Sequence, residues 1–515
     1  MTICIFFGII LRVSILTSKD YTSVTAKQNH IRLTASKIRG TIYDRNRKAI
    51  TNNKQQIIAA VSPTPTAVTA ISEVLKGEEL EIALSKLRQG KPTLCILPER
   101  IDAKGIVCAQ ISVTQNDLAQ HIIGYTDSQS KGISGLEYAY DSILYSDISA
   151  EFVYESDGKG DILEGYSPKF TYNTTALENG VVTTLDTEIQ KIAEEAAKSI
   201  EKGAVIIADT KTAKIRAILS KPNFNTEKPE ESLNSKDSPY FNRALNAYNV
   251  GSVYKLCVAA AGIENQKASY TYNCEGSLEI IDRIFKCHKL DGHGMSNLNS
   301  AIANSCNTYF YTFSSVIGSE NIYNMAKNLK FGQKLKLCEK IYTKAGNLPS
   351  RSSLTNTAHL ANFSIGQGDL LLSPVSMLTL YSAIANGGIF YTPSLTEGIL
   401  QRGILKEYNI GLPTRAFKSE TANLLKECLK SVLEEGTGEE AKPQTVSAAG
   451  KTATAQTGKY KNGREICQGW FCGFFPYEEP KYTVIVFSED TSRQTESCSK
   501  IFASIADKIT DLEKL

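Results

Sequence analysis

The stretch "VVTTLDTEIQKIAEEAAKSIEKGAVIIADTKTAKIRAIL", Val181–Leu219, changes its apolar period twice. After Asp186, the residues Ile189, Ile192, Ala196 and Ile200 recur at three or four, which predicts one face of a helix. Asp186 stands where a carboxylate accepts the first unpaired N–H groups of that helix. "GAVIIAD" and "KIRAIL" then read as two strands joined by a turn at Thr210–Ala213. A helix leading into antiparallel strands predicts an α+β domain, an antiparallel sheet packed with helices.

The whole chain of 515 residues has room for about two to four domains and at least one large core. With 42% hydrophobic and 22% charged residues it reads as globular. A net charge of +3, without a clustered basic run, gives no support to a nucleic-acid partner. The 12 cysteines include no CxxC pair, the five histidines no HExxH, so a metal mechanism has little to stand on and no cofactor or metal is assigned. Cys467 and Cys472, or Cys274 and Cys287, lie close enough in sequence for a local disulfide; free and buried thiols are the expectation. The apolar run Ile3–Leu11 stops at Arg12, short of the roughly 20 residues that cross a membrane.

Upstream of the opening stretch, "YDRNRKAI" reads as a hairpin with its turn at Asp44–Arg47, Ala67–Gln89 as a helix, and "SPKFTYNTTALENG", Ser167–Gly180, as a linker. Downstream, "LLLSPVSMLTLYSAIANGG", Leu370–Gly388, reads as a core helix with Pro374 in its first turn. Gly469–Asp490 reads as a hairpin of buried strands, and Cys498–Leu515 as a terminal helix.

Three short motifs carry chemistry. In "YNVGSVYKLCVAAAG", Ser252 and Lys255 stand three apart on a helix face behind Gly251. A lysine among apolar side chains loses its preference for the charged form and can act as a base. Ser128, Ser199 and Ser497 also have a lysine three residues on, but lack the glycine and the apolar helix. In "AIANSCNTYFYTF", Ser305 and Asn307 flank Cys306 after an apolar helical pattern. In "SAAGKTATAQTG", Lys451, Thr452, Ala453 and Thr454 read as an extended strand edge, with charge, hydroxyls and room for a substrate backbone. Lys211-Thr212-Ala213 repeats the tripeptide in a hairpin turn, without that flank.

The order Ser-x-x-Lys, Ser-x-Asn, Lys-Thr-small is far more specific than any of its parts. On it, the chain resembles the penicillin-binding proteins and serine β-lactamases. "RGTIYDRN" at Arg39, "HIIGYTD" at His121, "GLEYAYDSIL" at Gly135, "TTLDTEIQ" at Thr183, "SIGQGDLLLSPVSM" at Ser364, "EEGTG" at Glu434 and "GWFCGFFP" at Gly469 are similar to segments of class B, monofunctional high-molecular-weight penicillin-binding proteins. The chain departs from that pattern at Ala453 and Ala213, where glycine is usual, and at Val250, where proline is common.

The resemblance implies a peptidoglycan D,D-transpeptidase inhibited by β-lactams. Residues 1–16 would be a partial membrane anchor, 17–175 an elongated N-terminal pedestal module and 176–515 the transpeptidase domain. It assigns Ser252 as nucleophile and Lys255, Ser305, Asn307 and Lys451 as its catalytic partners; Thr452, Ala453 and Thr454 would bind substrate. It implies stem peptides as substrates, a membrane glycan polymerase as partner, and a catalytic domain held outside the cell membrane by a single-pass anchor. The alternatives are a catalytically weak or silent wall-synthesis scaffold, for which Ala453 speaks, and a β-lactam hydrolase or sensor.

Overall fold

The computed structural model describes residues 8, 10–14, 30–113, 116–157, 159–163, 165–226, 229–409, 411–461, 463–493 and 497–514. Most of the expected anchor therefore lies outside the described residues. Among those described, no helix is long and apolar enough to cross a membrane.

The chain forms two compact units that are not contiguous in sequence. The first draws on Met1–Gly40, Thr51–Thr114 and Tyr145–Glu178, the second on Thr41–Ile50, Gln115–Leu144 and Asn179–Leu515. Two segments expected in the N-terminal module, 41–50 and 115–144, thus belong to the second unit. Ser167–Gly180, read as a linker, contributes the strand Lys169–Thr171 and the single turn Thr174–Glu178 to the first.

In the first unit, Lys54–Val61 is the central strand of a three-stranded sheet. Its alternation splits two cores: Ala59 and Val61 meet Ile71 and Leu87, while Ile58 and Ala60 join Phe152 and Tyr154 of a second three-stranded sheet. The apolar period over Ala67–Gln89 resolves into two helices, Pro65–Val74 and Gly77–Arg88. Gly77, at φ +64, supplies the left-handed step that separates them.

The second unit is built on a five-stranded antiparallel sheet ordered Ile215–Lys221, Gly203–Asp209, Tyr482–Ser488, Arg464–Phe475, Ala449–Lys461. The opening stretch folds as read: Asp186 accepts from the N–H groups of Glu188 and Ile189 and caps the helix Thr187–Ala196. Ala213 closes the following turn at φ +54, the left-handed position that explains why glycine is usual there. The Asp44 carboxylate accepts from the N–H groups of Asn46 and Lys48 at 2.8 Å each, which makes the expected turn.

Alternation along Arg464–Phe475 sends Phe471 and Phe475 against Phe502 of the C-terminal helix Cys498–Glu513, ring centroids 4.4 and 6.1 Å apart. Trp470 faces the other way, and its indole N–H donates to the Asn249 carbonyl at 2.9 Å. That bond ties the sheet to the segment entering Gly251. The helix Pro374–Ala385, capped by Ser373 and with Pro374 in its first turn, is buried along nearly its whole length.

Candidate functional site

Ser252 lies in a 3₁₀ turn, Gly251–Tyr254, that leads into the buried helix Lys255–Glu264. Gly251 has φ +60, and a Cβ there would stand 3.2 Å from Cβ of Ala455 and 3.5 Å from Cβ of Ala453. The turn therefore presses directly on the Ala449–Lys461 strand. From the other side Gly251 N–H donates to the Gly366 carbonyl at 2.9 Å, and a Cβ on Gly366 would fall 2.1 Å from the Gly251 carbonyl oxygen. Two glycines thus let three segments close around the serine.

Lys255 points from that helix into a fully buried position. Its ammonium donates to the Ser305 carbonyl at 2.7 Å, to Asn307 Oδ1 at 2.7 Å and to Ser305 Oγ at 3.3 Å. Phe310 lies beneath it, 5.4 Å from the ring centroid. Burial pushes its pKa down to about 7, with Cys306 and Cys287 acting in the opposite direction. Ser305 sits between the helices Leu298–Ala303 and Asn307–Ile317 at φ +52, an uncommon conformation for a residue with a side chain. This strained residue turns its carbonyl toward Lys255.

Lys451 lies on Ala449–Lys461, the edge strand of the sheet, directly across from Cys472. It is buried too, and donates to Thr437 Oγ1 and to the Thr452 carbonyl, both at 3.2 Å. Burial and the neighbouring positive charge of Lys255 hold its pKa well below the lysine range. The Ser305 hydroxyl is within reach of Lys255, whereas Lys451 bonds the Thr437 hydroxyl. Thr437 in turn is 3.1 Å from Thr452 Oγ1. Ala453 pairs across the ladder with Trp470, so its methyl shares the face of Lys451 and is 7% exposed.

One cleft of about 460 Å³ is lined by Ser252, Ser305, Asn307, Thr452, Ala453 and Thr454, with the two lysines buried behind them. All eight residues singled out in the three motifs therefore converge. The sequence reading missed further residues of the wall, Thr437 and His288 among them. Thr437 was within "EEGTG", a segment already notable for its likeness; His288 carried no signal of its own.

A second group was also missed. Cys274, Cys287, His293 and Cys306 bring three sulfurs and one ring nitrogen within 4.8 Å of one another, a set that could hold a metal ion. The described cysteines are free, including both pairs considered for a local disulfide. The signal was a wide spacing rather than CxxC: twelve, five and twelve residues separate the four.

Residues 203–511 match the penicillin-binding protein transpeptidase domain, which is more than half of the chain. The chain belongs to that family. Its relatives include stage V sporulation protein D of Bacillus subtilis, 26% identical over 487 residues, 87% of this chain and 73% of that one. Peptidoglycan D,D-transpeptidase MrdA of Acinetobacter baumannii is 25% identical over 545 residues, 92% of this chain and 80% of that one. Among solved structures, penicillin-binding protein 3 of Mycobacterium tuberculosis in complex with aztreonam superposes with a TM-score of 0.68 at 20% identity, over 94% of this chain and 98% of that one. At that identity the likeness shows the fold. Among penicillin-binding proteins this chain falls with the class B, monofunctional transpeptidases.

Proposed function

We propose that this chain crosslinks peptidoglycan stem peptides through an acyl-enzyme on Ser252. The observation that carries the reading is the buried Lys255, bonded to Ser305 and Asn307 beside a cleft lined by Ser252 and the Thr452–Thr454 edge. In the acylation step Ser252 Oγ attacks the carbonyl between two D-alanines and its proton passes to Lys255. Lys255 serves as base in its neutral form, which its pKa of about 7 makes available near neutral pH. The C–N bond breaks, the proton held by Lys255 passes through the Ser305 hydroxyl to the departing D-alanine amine, and an ester on Ser252 remains. An amine of a second stem peptide then attacks the ester, forming the crosslinking amide and returning the proton to the serine.

Asn307 orients Lys255, and Lys451, bonded to Thr437, holds the strand that forms the wall of the cleft. Thr452 and Thr454 bind the substrate's terminal carboxylate. The N–H groups of Ser252 and Thr454 receive the oxyanion, a contribution of roughly 3–4 kcal/mol per donor in other enzymes. β-Lactams acylate the same serine. The catalytic unit works outside the cell membrane, held by an N-terminal single-pass anchor beside a membrane glycan polymerase.

The test is covalent labelling with a fluorescent penicillin, read together with D-alanine release from a stem pentapeptide. The reading predicts a label that persists for many minutes and is absent from Ser252→Ala. A label lost within seconds would mark a hydrolase, and a folded chain with no Ser252-dependent label would mark a scaffold.

A further inference from the structure

We propose that Cys274, Cys287, His293 and Cys306 bind a zinc ion, and that this ion fixes the Ser305–Asn307 turn in the wall of the cleft. The site stands on its own geometry; only its effect on acylation rests on the Ser252 reading.

The four ligand atoms lie within 4.8 Å of one another, and three of their separations come close to the edges of a zinc tetrahedron. Nδ1 of His293 is 3.5 Å from the sulfurs of both Cys274 and Cys287, and the sulfurs of Cys287 and Cys306 are 4.0 Å apart. Zinc with bonds of about 2.3 Å to sulfur and 2.0–2.1 Å to nitrogen spans ligand–ligand edges of roughly 3.5–3.8 Å. A disulfide would need about 2.05 Å between sulfurs. The three cysteines are buried and His293 is half-buried, so the ion would be closed off from solvent as in a structural site. Three thiolates and one imidazole also favour zinc over the hard cations that take oxygen ligands.

Local folding prepares this convergence. Cys274 ends the strand Tyr272–Cys274, and His293 immediately precedes its antiparallel partner Gly294–Ser296. Cys287 directly follows the hairpin Ser277–Ile280 with Arg283–Lys286, and its N–H donates to the Gly276 carbonyl at 2.8 Å. Gly292 and Gly276 have φ +79 and +89; a Cβ on the first would lie 2.1 Å from the Cys274 carbonyl oxygen, on the second 1.7 Å from that of Leu290. The two loops therefore interlock only because both positions are glycine. Cys306 is the central residue of the Ser305–Asn307 turn, and the Asn307 N–H donates to the Cys287 sulfur at 3.4 Å.

The position gives the ion a role. Ser305 and Asn307 are the two acceptors of the Lys255 ammonium, and Cys306 lies between them. Cys287 is followed by His288, whose side chain lines the cleft and whose ring lies 5.0 Å from that of His293. An ion with four protein ligands has no open position for substrate, so it acts by positioning rather than as a Lewis acid.

The experiment measures zinc by mass spectrometry in the full chain carrying Ser252→Ala, purified in reductant, given equimolar zinc and desalted. The expected content is about one equivalent per chain, with Co²⁺ replacing it to give a thiolate charge-transfer band and strong tetrahedral visible bands. Cys287→Ser and His293→Ala should each fall below about a fifth of an equivalent, while Cys467→Ser, outside the cluster, keeps the full content. If Cys287→Ser fails to fold, His293→Ala and reversible chelation of the unaltered cluster carry the test: chelation should lower Tm, and zinc but not magnesium should restore it. Less than about a tenth of an equivalent in folded, reduced protein, equal zinc in His293→Ala, or a Cys287–Cys306 disulfide in protein purified without reductant would overturn the site. With Ser252 restored, removing zinc should slow penicillin labelling by about tenfold or more. An unchanged rate would overturn the positioning role, whereas zinc binding without any label would count against the Ser252 reading and leave the site standing.

Discussion

Lys255 Nζ lies 2.7 Å from Oδ1 of Asn307, a residue 52 positions further along the chain. With the Ser305 carbonyl at the same distance, the ammonium has two strong acceptors, both of them uncharged. The group is thus held in place while remaining easy to deprotonate, the condition a buried base requires.

Because burial lowers the Lys255 pKa to about 7, penicillin acylation should rise about tenfold per pH unit below that value and level off above it. Stopped-flow or gel-based labelling from pH 5 to 9 gives the profile. Stability should move in the same sense. Between about 7 and the ordinary lysine value of 10.5 the unfolded chain binds the extra proton, so burial of Lys255 opposes folding most at low pH and the penalty is relieved as pH rises through that window.

Asn307→Ala removes an acceptor of the charged form and should shift the acidic limb of that profile to lower pH while lowering the plateau by about tenfold or more. A purely structural role for Asn307 would lower the plateau without moving the limb.

Lys255→Arg should not rescue Lys255→Ala. Guanidinium stays protonated at any working pH, so labelling should remain at least about a thousandfold below the parent. Equal circular dichroism of the two variants separates loss of the base from loss of fold.

Gly251→Ala should be costly. The alanine would be forced to φ +60 with its Cβ 3.2 Å from that of Ala455, so a loss of about 1–3 kcal/mol in urea unfolding and a marked fall in labelling are expected. Ala453→Gly should be mild by contrast. The methyl faces the Gly251 turn and is 7% exposed, so its removal should cost about 1 kcal/mol and change labelling less than about threefold.

The primary structure by itself determined what depends on neighbours in the chain. The Asp186 cap, the Gly203–Lys221 hairpin, the Pro374 helix and the Asp44 turn are set by hydrogen bonds and periodicities within a few residues, and all are found. The ordered motifs also announced the family, since Ser252, Ser305 and Lys451 each sit on a recognisable local element. Tertiary structure decided the rest. Ser167–Gly180 looks like a linker until pairing with Val153 and Glu151 makes part of it a strand, and residues 41–50 join the second unit because Thr41–Tyr43 pairs with Gly180–Thr183. The pairing of Lys255 with Ser305 and of Lys451 with Thr437 is equally invisible in sequence, as is the meeting of Cys274, Cys287, His293 and Cys306. The physical reason is common to these cases. A buried ammonium or sulfur is defined by the atoms that replace its water, and those atoms arrive from segments whose approach only the packed core fixes.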